Sequence, residues 1–159
     1  MTENQLRLRA LPALRLAQAS GQVDDVTEIA ATVEVLFETL TARLAATGAP
    51  MSGRGIRTYF GRPDGSKIDV AVGVPLAPDA DPPAGLELAE LPAEERGAVV
   101  THRHTADDTG GDPWLAVDSV LAERGLESWG LYRQVHLEDT DDHQVFELQC
   151  PVRESGGRP

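Results

Sequence analysis

DDVTEIAATVEVLFETLTARLAATG (residues 24–48), followed shortly by GIRTYFGRPDGSKIDVAVGVPL (55–76), decides how the rest of the chain reads. In the first stretch Val26, Ile29, Val33, Leu36, Phe37, Leu40 and Leu44 recur at spacings of three and four. That period predicts an amphipathic helix, with Phe37 inside its apolar stripe. Asp24 or Asp25 caps the start, and Gly48 followed by Pro50 closes the end. In the second stretch Ile68, Val70, Val72 and Val74 alternate with Asp69, Ala71 and Gly73, the period of a strand. Arg62, Pro63, Asp64 and Gly65 supply a turn to a strand before it. LPALRLAQASGQV (11–23) adds a strand ahead of the helix, with Leu14 and Leu16 on one face.

The same order returns downstream. APDADPPAG (77–85) reads as an extended linker and the midpoint of the chain. LELAELP (86–92) and ERGAVVTHRHT (95–105) read as strands separated by a short turn. DPWLAVDSVLAERG (112–125) reads as a helix, with Asp112 as cap, Pro113 at the first position and Gly125 as stop. GLYRQVHLED (130–139) and HQVFELQCPV (143–152) are strands with TDD (140–142) between them. The expectation is one α+β domain over residues 1–159, built from β-α-β-β halves at about 8–76 and 85–153 joined by 77–84. One half alone buries too little apolar surface to be stable. Two packed halves would share an antiparallel sheet with both helices on one face and a ligand seam on the other.

Totals exclude several function classes. A net charge of −12, with no clustered Lys or Arg, argues against direct nucleic-acid binding. A single cysteine, Cys150, excludes an internal disulfide and a Cys-cluster metal site, and it reads as a buried small hydrophobe. No secretory signal is evident, and no stretch approaches the roughly 18 apolar residues of a membrane span. A cytoplasmic protein is expected.

GIRTYFGRPDGSKIDVAVGVPL, ELPAEERGAVVTHRH, VLAERGLESWGLYRQVHLED and VFELQCPVR, taken in that order, resemble the gyrase-inhibitor-like (GyrI-like) effector-binding domains of bacteria. That family includes the drug-sensing C-terminal halves of MerR- and AraC-type transcription regulators, as well as single-domain members. The resemblance spans about residues 8–153. It implies a duplicated β-α-β-β fold, a pocket where the halves meet, and multidrug binding. It also implies a buried glutamate on the strand matching GLYRQVHLED, with a tyrosine two residues on, that recognises cationic aromatic drugs. This chain departs at both positions, with Gln134 and His136, while Glu147 matches another frequent acidic position. The first strand begins within a dozen residues of Met1, so no DNA-binding helix-turn-helix is expected ahead of the domain.

Tyr132, Gln134 and His136 share one face of their strand because side chains alternate. That face is expected to look away from the core, with Leu131, Arg133, Val135 and Leu137 inward. An amide there either orients a neutral polar ligand group or satisfies a neighbour within the sheet. His102 and His104 share a face of their own strand, and H-x-H alone is a weak metal signal; no metal and no cofactor are expected. Trp114 opens the second helix, where it could stack on a ligand ring, and at least one of Tyr59 and Trp114 is expected to line the pocket. The candidate ligand set is Tyr59, His102, Trp114, Tyr132, Gln134, His136 and Phe146.

The leading expectation is a stand-alone protein that senses or sequesters a hydrophobic or aromatic small molecule, reporting to a protein partner if it is regulatory. One alternative is a hydrolase of reactive electrophilic natural products, which some single-domain relatives are, with His136 or Glu147 as the general base. Another is an interaction protein that blocks DNA gyrase, its Asp-rich segments ADDTGGD (106–112) and EDTDD (138–142) imitating nucleic acid.

Overall fold

The computed structural model describes residues 6–47, 55–61, 67–105, 113–139 and 143–155. The closing residues Gly48 and Pro50, the turn at 62–65, the cap Asp112 and the TDD connection lie outside them. The chain is α+β, with nine strands in antiparallel pairings and two α-helices among the described residues. It divides into two units. One is continuous, Pro12–Ala93; the other is split, Met1–Leu11 with Glu94–Pro159. The Pro- and Asp-rich stretch 77–84 lies inside the continuous unit. No helix among the described residues is long and apolar enough to cross a membrane.

In the continuous unit, β2 (Leu14–Val23) is followed by a 3-10 turn (Val26–Glu28) and α1 (Ile29–Ala46). Asp25 is the cap: it is extended at φ −143°, and its carboxylate accepts from the Thr27 amide at 3.3 Å. Glu28 reaches back to the Asp25 amide at 3.1 Å, so two donors at the helix start are satisfied reciprocally. The chain then forms β3 (Ile56–Gly61), β4 (Ile68–Pro75) and β5 (Glu87–Leu91), in sheet order β3-β4-β2-β5. Val33, Leu40 and Leu44 of α1 bury against Ala17 and Val23 of β2 and Val70, Val72 and Val74 of β4. Each such side chain contributes roughly 1.5–3 kcal/mol when fully buried. Two expected members of the stripe are corrected. Val26 sits in the 3-10 turn, out of phase with the helix, and is 65% exposed. Phe37 is 41% exposed and stands outside the group of α1 side chains that packs on β2 and β4.

The split unit repeats that plan. It comprises β6 (Glu94–Thr105), α2 (Pro113–Glu123), β7 (Leu126–Ser128), β8 (Tyr132–Asp139) and β9 (His143–Glu154). β1 (Arg7–Leu11) supplies its edge, giving the order β1-β6-β9-β8, with β7 on β9. Val117 and Leu121 of α2 bury against Ala98 and Val100 of β6 and Phe146, Leu148, Cys150 and Val152 of β9. α2 ends as expected: Gly125 takes φ +73°, a left-handed conformation that glycine adopts without strain.

Strand-helix-strand-strand plus one edge strand thus occurs in both units, and each edge strand comes from the other side of a Leu-Pro-Ala sequence. β1 runs through Leu11, Pro12 and Ala13 toward β2 yet pairs with β6. β5 runs through Leu91, Pro92 and Ala93 toward β6 yet pairs with β2. A two-residue hairpin needs a residue at positive φ, which Pro-Ala does not provide, so neither pair folds back on itself. The expected short turn between 86–92 and 95–105 is therefore a passage between units.

Candidate functional site

Residues paired across antiparallel strands present side chains to the same face, so register assigns every candidate a side. Gln134 pairs with Leu148, and both His136 and His102 pair with Phe146. Leu148 and Phe146 belong to the cluster under α2. Tyr132, Gln134 and His136 do share a face, but it is the helix-covered one, which corrects the side expected for them. Gln134 and His136 are buried. The rings of His102 and His136 flank Phe146 at centroid distances of 5.2 and 5.4 Å. Trp114 packs on Tyr132 at 4.7 Å. The Tyr132 hydroxyl shares a hydrogen bond with Ser128, which donates to Asp118 at 3.3 Å. Six of the seven ligand candidates therefore gather in the split unit. Tyr59 pairs with Val70 and packs on the core of the continuous unit. Trp129 is exposed beneath the Arg153 guanidinium.

The face opposite α2 carries a different chemistry. Arg7, Val99, Gln149 and Arg133 form one cross-strand row; Thr101, Glu147 and Val135 form the next. Arg133 is 2% exposed and Gln149 5%. Glu147 accepts from Arg9 at 2.9 Å and from Gln149 Nε2 at 2.7 Å, and Arg7 stands 3.5 Å away. The carboxylate sets the orientation of the Gln149 amide, because only its NH2 can donate to Glu147. Gln149 Oε1 therefore points elsewhere, and no hydrogen bond reaches it among the described residues. Burial lowers the Arg133 pKa, and the nearby Glu94 carboxylate opposes that shift. The protein is strongly acidic, yet two guanidinium groups, those of Arg7 and Arg9, meet at Glu147.

Sequence reasoning missed Arg7, Arg9, Arg133 and Gln149. The phase of β9 is plain in its sequence, where Phe146, Leu148, Cys150 and Val152 alternate with Glu147, Gln149 and Pro151. β8 has no such phase, since Val135 and Leu137 sit on the same side as Arg133. Only pairing with β9 decides its faces. His136 and Glu147, the alternative general bases, fall on opposite faces of the sheet.

Solved structures share this fold. SAV2435 bound to tetraphenylphosphonium superposes with a TM-score of 0.69 at 14% identity, covering 96% of this chain and 94% of that one. The EcmrR C-terminal domain gives 0.62 at 12% identity, covering 96% and 99%. The chain has the GyrI-like fold. An integron cassette protein from the mobile metagenome of Vibrio cholerae gives 0.65 at 12% identity, covering 94% and 97%. No family model and no curated protein matches the sequence. Within this GyrI-like fold, the resemblance places the glutamate where Gln134 faces α2, whereas Glu147 lies on the other face.

Proposed function

We propose that this chain binds a small molecule, an apolar or aromatic body bearing an N–H or O–H donor, on the split-unit face opposite α2. The observation that carries the reading is Gln149 Oε1. A buried carbonyl oxygen without a donor costs about 1–3 kcal/mol, and a ligand donor would relieve it. Val99 and Val135 supply apolar contact, Thr101 a hydroxyl, and Glu147 holds the amide in its orientation. SAV2435, which shares the fold, is solved with an aromatic small molecule, and that likeness supports a binding role in sensing or sequestration.

Calorimetric titration with 2-naphthol and its methyl ether tests the reading. The wild type is expected to bind the naphthol about tenfold more tightly, the worth of roughly one hydrogen bond. Gln149→Met is expected to erase that difference, whereas equal binding of both compounds by the wild type rejects the role of Gln149.

A second reading rests on the rings. Trp114, Tyr132 and His102 are only partly buried, which leaves aromatic surface for stacking on the α2 side. Loss of binding in Trp114→Leu, with no change in Gln149→Met, would move the ligand there.

A further inference from the structure

Glu147 is a carboxylate whose charge the fold has already matched. β1 delivers Arg7 and Arg9 to it from the edge of the sheet, at 3.5 and 2.9 Å, and Gln149 adds a third donor. The Glu147 side chain is 15% exposed, so the pairing is only partly screened by water. Arg133 lies buried in the same cross-strand row as Arg7. The Glu94 carboxylate bears on Arg133. At Glu147 two guanidinium groups meet one carboxylate, so the local balance is positive although the whole chain carries −12.

We infer that Arg7 and Arg9 are specificity-determining residues that make the site accept neutral or anionic aromatic ligands and disfavour cationic ones. This rests on the binding reading above and sharpens it. The charge selectivity comes from β1, a strand that contributes no part of the strand-helix-strand-strand repeat. A carboxylate left bare on this face would attract a lipophilic cation. With two arginines engaged, an incoming cation meets a net positive surface and gains no ion pair unless it displaces one of them.

Tetraphenylborate and tetraphenylphosphonium, matched in shape and opposite in charge, provide the test. The affinity ratio of the two ions is measured at low salt for the wild type, for Arg7→Gln/Arg9→Gln and for Arg7→Lys/Arg9→Lys. Comparing ratios between proteins cancels the intrinsic difference in hydration of the ions. The glutamine pair is expected to shift the ratio about tenfold toward the cation, and the lysine pair to leave it near the wild-type value. Both arginines are half-exposed on an edge strand, and a circular-dichroism melt confirms that each variant is folded. A ratio unchanged in the glutamine pair, with both ions still bound, overturns the inference and leaves the binding reading intact. Binding of 2-naphthol with neither ion bound by any of the proteins overturns the inference alone, and binding of none of the three compounds overturns both.

Discussion

Gly97 has no room for a side chain. A Cβ there would lie 2.4–2.8 Å from the Cγ and Cδ atoms of Leu11, which is 1% exposed and packed across the β1–β6 ladder. Gly97→Ala is expected to destabilise the protein by about 1–3 kcal/mol in urea unfolding. In a Leu11→Ala background the same change should cost much less, and equal costs in both backgrounds would deny the contact. Cys150, fully buried, has its thiol pushed from 9.0 up to about 12, first by burial and then by Asp118. Between those values the folded thiol keeps its proton while the unfolded one loses it. Its contribution to stability is therefore whole below pH 9.0 and falls as pH rises toward about 12. Cys150→Val should flatten that part of a stability–pH curve, and the native thiol should resist Ellman's reagent at pH 8. The inert cysteine was legible in the sequence, as a lone thiol in an apolar alternation. Arg133 was not, because a charged residue beside Val135 and Leu137 gives no sign that its own face is buried.

At the scale of elements, the start of α1 depends on a reciprocal pair, with Asp25 accepting from Thr27 and Glu28 returning to Asp25. Asp25→Ala is expected to cost about 0.5–2 kcal/mol, and Asp24→Ala much less, by thermal melting. Local rules made α1, α2 and β4 legible, since the period of each lies within the element, as the cap of α1 and the Gly125 stop of α2 lie beside theirs. β8 shows where local rules end. The sequence correctly joins Tyr132, Gln134 and His136 on one side, yet their side relative to α2 follows from the register His136–Phe146 and Gln134–Leu148. β1 and β7 were also unread: β7 has three residues, and β1 has five whose partner lies about ninety positions away.

At the scale of the whole molecule, the two units are tied by passages at the paired Leu-Pro-Ala sequences, so each unit takes its edge strand from across a proline. Removing residues 1–11 strips Leu6 and Leu11 from the split unit and bares the edge of β6. Hydrogen exchange should then show β6 amides losing protection while β3 and β4 amides keep theirs, and equal loss in both would contradict separate units. The same deletion removes Arg7 and Arg9, and with them the charge balance at Glu147.

The linear chain by itself determined the α+β class and the twofold order of helix and strands, because periodicity and turn chemistry act over about twenty neighbouring residues, and its motifs carried the GyrI-like resemblance. Tertiary structure alone decided which face of β8 is covered and which strand completes each edge. It also brought two N-terminal arginines to a carboxylate near the C-terminus. Register is a relation between strands, and no periodicity inside one strand encodes it.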